Sequence, residues 1–127
     1  MFPDFVLQRR GDASIWIARQ YADSHLAEML HDADQLFADP SCQIIKDQTK
    51  IKVARLPMKM DGQAQMLFIK RYNMYSLRHQ MASPFVQSGA FRSLRGAAIL
   101  RAADIQTPVP VAAVENRRHF KLCKSFF

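Results

Sequence analysis

The stretch from Gln65 to Asn73 holds one cation, Lys70, inside an apolar run and predicts a buried strand. One face of that strand would carry Met66, Phe68, Lys70 and Tyr72, and the other would carry Leu67, Ile69 and Arg71. Burying the Lys70 ammonium without an anionic partner is unfavourable. Lys70 therefore either extends to solvent, meets a carboxylate, or lines a cleft that binds an anion.

Shorter apolar or alternating runs predict further strands on both sides of this one. They are Phe5–Gln8, Ala13–Ala18, Cys42–Ile45, Ile51–Met58, Val111–Val114 and Phe120–Phe127. Gly11 can supply a positive φ between the first two, and Asp61-Gly62 is typical of a hairpin turn. Pro57 lacks a backbone donor, which predicts the edge or the end of its strand.

Two stretches have helical periodicity. An amphipathic helix is predicted from a cap at Asp23 or Ser24 to a stop at Pro40, with a stripe that begins at Leu26. A second helix is predicted to start at Ser83-Pro84 or at Ser88 and to end near Asp104. The residues from Asn73 to Ser83 fit either a short helix or an extended loop.

The order of these elements predicts the fold class. Three consecutive strands, a helix and two more strands indicate an α+β fold, with one helix packed on a five-stranded, mainly antiparallel sheet. The hairpin and the amphipathic helix would form an N-terminal extension over residues 1–40. The sheet and its helix would form the domain over residues 41–127.

Charge divides the chain at about the same place. Residues 1–45 hold three Arg against seven Asp and Glu, a net −4, while residues 46–127 hold fifteen Lys and Arg against four Asp and Glu, a net +11. The basic part should attract phosphates of nucleotides, nucleic acid or a membrane surface. Two distant cysteines, and an N-terminus without a secretory signal, predict a cytoplasmic protein.

Several motifs of the basic part carry a family resemblance. They are Ile45-Lys46-Asp47, Val53-Ala54-Arg55, the strand end from Phe68 to Asn73, the helical stretch from Ser88 to Ala97, and the run from Leu100 to Ala112 with its Thr107-Pro108 entry. Together they resemble the opening of the bacterial lipopolysaccharide core sugar kinases, which act on Kdo or heptose. The resemblance covers residues 41–127.

The resemblance implies the small N-terminal lobe of a protein-kinase-like fold and phosphotransfer from ATP to an inner-core sugar. Lys70 would grip the α- and β-phosphates, and the loop from Lys46 to Lys50, with Gln48, Thr49 and Lys50, would lie over the phosphates. Phe68 would help to roof the adenine pocket. Catalytic residues, and most of the Mg²⁺ ligands, would belong to a second lobe after Phe127. This chain is therefore expected to be inactive alone, and to work in the cytoplasm or on the inner face of the inner membrane.

The chain also departs from the kinase pattern. The loop from Lys46 to Lys50 contains no glycine, and residues 84–105 contain no glutamate that could pair with Lys70. Asp104 replaces the glycine expected at the helix end, although aspartate also tolerates the left-handed conformation.

One alternative from another functional class stays open. The basic region with its aromatic residues would also suit a non-enzymatic module that binds nucleic acid or an anionic membrane surface. Nucleic acid is the less favoured partner, because no known nucleic-acid-binding motif is present. Salt-dependent binding of RNA without binding of ATP would distinguish such a module.

Overall fold

The computed structural model describes residues 4–60, 62–73, 88–118 and 121–127. The strands are β1 (Phe5–Arg10), β2 (Ala13–Ala18), β3 (Gln43–Asp47), β4 (Ile51–Met60), β5 (Gln63–Asn73), β6 (Ala112–Arg118) and β7 (Lys121–Phe126). The helices are α1 (His25–Met29) and α2 (Gly89–Ala102), and 3₁₀ segments span Arg19–Tyr21 and Leu30–Ala38. The predicted Asn73–Ser83 connector, the Ser83-Pro84 helix start and Asp61 lie outside the described residues.

All the described strands join one antiparallel sheet of seven strands, in the order β1-β2-β6-β7-β5-β4-β3. The predicted α+β fold, a five-stranded sheet of a kinase-like N-lobe preceded by a separate hairpin, is therefore wrong. The hairpin adds to the sheet because β2 pairs with β6, in the register Ile15↔Val114. A hairpin alone is marginally stable, and this pairing buries Ile15 and Ile17 completely.

The predicted continuous amphipathic helix is also wrong. One turn of α-helix gives way to the 3₁₀ segment Leu30–Ala38, in which Asp32 has the non-helical angles φ −135° and ψ 75°. The buried residues of this segment are Leu30, Ala33 and Leu36. Asp32 kinks the segment into two short pieces, and Ala33 and Leu36, three residues apart, lie on one side of the second piece.

Capping residues set both ends of α2. The Ser88 side chain accepts a hydrogen bond from Phe91 N at 3.0 Å, which confirms Ser88 as a start signal. At the other end Asp104 adopts φ 61°, and Ile105 N donates to Leu100 O at 2.9 Å. This is the left-handed helix stop expected of Asp104. Among the described helices, none has the length and apolar character needed to cross a membrane.

The sheet buries its two faces against different elements. On one face the 3₁₀ segment covers Leu56, Ile69 and Phe126, which belong to the larger core cluster. On the other face α2 packs Ala90 and Leu94 against β6 and its neighbours. Helix α2 lies over the part of the sheet formed by β2, β6 and β7. It contacts β5 near the C-terminal end of that strand, where the Tyr72 hydroxyl lies 2.7 Å from Ser93 Oγ.

Pro57, predicted at the edge or the end of its strand, lies inside β4 at a point where the described part of β3 no longer pairs with it. Strand β3 ends its pairing with β4 at Gln43↔Arg55, two residues before Pro57. Pro57 itself is opposite Met66 of β5. The donor that proline lacks would therefore point past the end of β3, so no ladder hydrogen bond is lost.

Candidate functional site

The side of β3, β4 and β5 that faces the α2 layer is exposed. We call it the open face. It consists of Gln43, Lys46, Val53, Arg55, Pro57, Met66, Phe68 and Lys70, of which Val53 is half-buried and the others are exposed. Phe68 is 62% exposed, an unusual position for a phenylalanine in the interior of a sheet.

Cations and apolar groups form two neighbouring rows across the open face. In one row Lys46 is opposite Val53, and Val53 is opposite Lys70. Neighbouring strands are about 4.8 Å apart, so the two lysines of this row start about 10 Å from each other. In the next row Gln43, Arg55 and Phe68 stand side by side, and Arg55 Nε donates to Gln43 Oε1 at 2.6 Å.

A β-bulge brings Lys46 to this row. The register of β3 against β4 shifts between Ile44 and Lys46, so Ile45 becomes the extra residue. Without the shift, Ile45 would be opposite Val53 and Lys46 would point to the other face, since side chains alternate. The bulge thus places a cation, instead of an apolar residue, in the row of Lys70, on the far side of Val53.

Lys70 and its neighbour Arg71 have opposite environments. Arg71 points to the other face, where its Nη1 lies 3.3 Å from Asp34 Oδ1, and Lys124 also contacts Asp34. Lys70 is exposed and forms no ion pair with any carboxylate among the described residues. Of the two cations, Lys70 is thus the one available to an anion from outside.

An apolar cavity of about 720 Å³ adjoins Lys70 and Phe68. Its wall on the α2 side includes Ser93, Ala97 and Leu100, and the segment Thr107–Val111 closes another side. A volume in this range accommodates a ligand of ordinary cofactor size. The site therefore joins apolar walls to a cationic rim.

The structure brings together only some of the predicted site residues. Lys70 and Phe68 lie on one face beside the cavity. The loop with Gln48, Thr49 and Lys50 lies at the end of β5, where Asn73 N donates to Lys50 O at 3.0 Å. Asn73 is three residues beyond Lys70, so this part of the loop is about 10 Å from it along the strand.

Arg55 is a site residue that the sequence reasoning did not assign, and Lys46 was expected in the loop over the phosphates and not on this face of the sheet. The antiparallel meander alone would have placed Arg55 beside Phe68, because a tight hairpin fixes the register of its strands. Lys46 depends on the bulge, for which the sequence carries no glycine or other signal at Ile44–Lys46.

The described residues give little support to two other kinds of site, a reactive cysteine and a metal site. Burial raises the pKa of the Cys42 thiol, Asp39 raises it further, and Lys52 partly offsets both effects. A raised pKa leaves little of the nucleophilic thiolate at neutral pH. The described residues contain no cluster of three or more His, Cys, Asp or Glu side chains able to hold a metal ion.

Comparison of the chain with protein-family models, with curated proteins and with solved structures gives no match. The resemblance to the lipopolysaccharide core sugar kinases thus rests on the motifs of the sequence. The functional proposal therefore also depends on the geometry of the open face.

Proposed function

We propose that this chain binds ATP on the open face, as the nucleotide-binding part of a kinase for an inner-core sugar of lipopolysaccharide. The observation that carries the proposal is Lys70. Its ammonium is exposed, has no carboxylate partner among the described residues, and adjoins an apolar cavity. An unpaired cation beside apolar walls suits a ligand with a charged end and a flat apolar end.

The arrangement of the two rows suits the parts of a nucleoside triphosphate. Phe68 presents an exposed aromatic ring on which adenine can stack, next to the half-buried Val53. Lys70, Lys46 and Arg55 supply three cationic groups for the phosphates, and hydrogen bonds between ionised partners are the strong ones. No residue of the open face is acidic, so nothing on it repels the phosphates.

The open face does not fit Mg²⁺ in the same way. Mg²⁺ takes oxygen ligands, usually from carboxylates and phosphates, and this face has no carboxylate. The ligands of Mg²⁺ and the catalytic residues would therefore lie outside the open face. We expect nucleotide binding without phosphotransfer from this chain alone.

The acceptor and the location complete the proposal. The sugar acceptor follows from the family resemblance, and a basic surface suits an acceptor that carries phosphates and carboxylates. Arg92, Arg95 and Arg101 of α2 are exposed and add to that surface. We place the protein in the cytoplasm, in contact with the inner face of the inner membrane.

Substitution of Lys70 tests the proposal. We expect Lys70→Met to weaken binding of a fluorescent ATP analogue at least tenfold, because the substitution removes the cation that adjoins the cavity and Phe68. Fluorescence titration at fixed ionic strength measures the dissociation constant. The matched control is Lys59→Met, which removes an exposed lysine of β4 opposite Ala64, about 20 Å from Lys70 along the sheet.

The control should leave the dissociation constant within about twofold of wild type, since at about 20 Å, twice the Debye length, salt screens the lost charge. Equal weakening by both substitutions would mean that net charge, and not this site, attracts the nucleotide. No measurable binding by the wild-type protein would refute the proposal.

A basic module on an anionic membrane surface is the second candidate, and one observation favours it. Ile99, Ile105 and Val109 are exposed at or beyond the end of α2, and Arg101 is exposed among them. Apolar groups beside cations are typical of surfaces that rest on anionic lipid. Co-sedimentation with phosphatidylglycerol vesicles, with no affinity for the ATP analogue, would favour this candidate.

A further inference from the structure

The open face continues past the residues assigned to ATP, along β4 and β5 toward the hairpin that joins these two strands. In the register of the strands, Arg55 is opposite Phe68, and Lys59 is opposite Ala64. Rows two residues apart are separated by about 7 Å, so the face extends about 20 Å from the row of Lys70 to the row of Lys59. We call this surface the track, and its members are Val53, Arg55, Pro57 and Lys59 of β4 with Ala64, Met66, Phe68 and Lys70 of β5.

Cations stand at both ends of the track and between them. Lys70 and Lys59 mark the ends, and Arg55 lies one row from Lys70. All three side chains are exposed, and none forms an ion pair with a carboxylate of the described residues. No member of the track is acidic, so the track attracts an extended polyanion along its whole length.

Apolar side chains lie between these cations. Phe68 is 62% exposed and Met66 is 49% exposed, and the two are neighbours on the same face of β5. Exposed aromatic rings beside cations are typical surfaces for stacking the bases of single strands, because every base has a flat π-face. The Cβ atoms of Arg55 and Phe68 are about 5 Å apart, so Arg55 can reach a phosphate next to a base that stacks on Phe68.

A mononucleotide would use only part of the track. A base on Phe68 whose phosphates extend to Lys70 leaves Met66 and Lys59 without a ligand, because they lie on the other side of Phe68. A single strand continues in both directions from the stacked base and carries a phosphate at each nucleotide. A duplex does not fit in this way, since its bases are stacked on one another and offer no free face to Phe68.

We infer that the track binds single-stranded nucleic acid, with a base stacked on Phe68 and phosphates held by Lys70, Arg55 and Lys59. The sequence contains no known nucleic-acid-binding motif, so the observation that carries the inference is the exposure of Phe68 among cations. The inference shares Phe68 and Lys70 with the proposed ATP site. It goes beyond that site through Met66 and Lys59, and it does not require the face to bind ATP.

Fluorescence anisotropy with a labelled single-stranded octamer of deoxythymidine tests the inference. Each phosphate contact with a single strand changes the slope of log affinity against log salt concentration by about −0.7, so three contacts predict a slope of about −2. A duplex of the same length should bind at least tenfold more weakly. Absence of octamer binding at 50 mM salt, or equal affinity for the duplex, would overturn the inference.

Lys59→Met separates the track from the ATP site. It should weaken octamer binding and bring the slope to about −1.4, while the affinity for the ATP analogue stays within about twofold of wild type. The matched control is Arg10→Met, which removes an exposed cation of β1 at the far edge of the sheet, four strand spacings or about 19 Å from β5. An equal change of slope in both variants would show that net charge attracts the octamer, which contradicts the inference.

Two variants of Phe68 test the stacking. Phe68→Ala should weaken octamer binding at least fivefold with the slope unchanged, because a stacked base, unlike a phosphate contact, releases no counterion. Phe68→Trp keeps a flat ring and should bind at least as tightly as wild type to within about twofold. Equal affinity of wild type and Phe68→Ala would refute stacking on this ring and overturn the inference.

The result for the octamer can be told apart from the result for ATP. A protein that binds the ATP analogue but not the octamer overturns this inference and leaves the proposed function intact. A protein that binds the octamer, with the expected effects of Lys59→Met and Phe68→Ala, but does not bind the ATP analogue supports this inference and refutes the proposed function.

Discussion

Phe126→Ala is expected to lower the free energy of unfolding by about 3–5 kcal/mol, the range for loss of a buried phenylalanine. Phe126 is 2% exposed and packs in the larger core cluster, with its ring 6.3 Å from that of Phe37. It also joins the sheet, because it is opposite both Arg71 and Val114. Chemical denaturation followed by circular dichroism measures the loss.

The control for this prediction is the same substitution on the other face. Phe68→Ala should change the free energy of unfolding by less than about 1 kcal/mol, because a side chain that is 62% exposed contributes little buried area. If Phe126→Ala does not fold, Phe126→Leu should fold with a smaller loss, since most of the volume remains. Equal losses at Phe68 and Phe126 would contradict the assignment of Phe68 to an open face.

Gly89→Ala is expected to lower the free energy of unfolding by about 1–3 kcal/mol through overpacking. A methyl group on Gly89 would lie 2.5 Å from Tyr72 Cδ1 and 2.6 Å from Tyr72 Cγ. The root of the ring cannot move away easily, because the Tyr72 hydroxyl is hydrogen-bonded to Ser93. The start of α2 would have to shift away from β5. Thermal unfolding followed by circular dichroism measures the change.

Gly96→Ala in the same helix provides the matched control. Apart from the adjacent residues and the backbone of the same helix, no atom lies within 4 Å of the methyl group that this substitution would add. Alanine is favoured over glycine inside a helix by about 0.5–1 kcal/mol, so Gly96→Ala should raise the midpoint temperature. Destabilisation by both substitutions would contradict the close contact between Gly89 and Tyr72.

The local structure was largely predictable from the sequence. The apolar run located the strand from Gln65 to Tyr72 within β5, which spans Gln63–Asn73. The capping role of Ser88 and the left-handed conformation of Asp104 also followed from residue type. These features depend on neighbouring residues, so local sequence is enough to specify them.

The number of strands in one sheet was not predictable in this way. Pairing of β2 with β6 joins Ile15 to Val114, about a hundred residues apart along the chain. Alternation shows which face of a strand is apolar but not which strand is its neighbour. The 3₁₀ winding after Met29 was missed for a related reason, because residues spaced by three also fit an α-helical stripe.

The candidate site was predictable only in its centre. Lys70 and Phe68 share a face because they are two residues apart on one strand. The contribution of Lys46 depends on a bulge in another strand, and the resemblance placed the loop from Gln48 to Lys50 closer to Lys70 than the structure does. Site residues from separate strands come together through register, which sequence spacing does not show.

Titration of the ¹⁵N-labelled protein with ATP tests the central claim most directly. We predict that the largest chemical-shift changes fall on the amides of the open face, at Val53, Phe68 and Lys70, and that adenosine alone produces smaller ones. Largest changes along the exposed arginines of α2, or no change up to 5 mM ATP, would contradict nucleotide binding at this site.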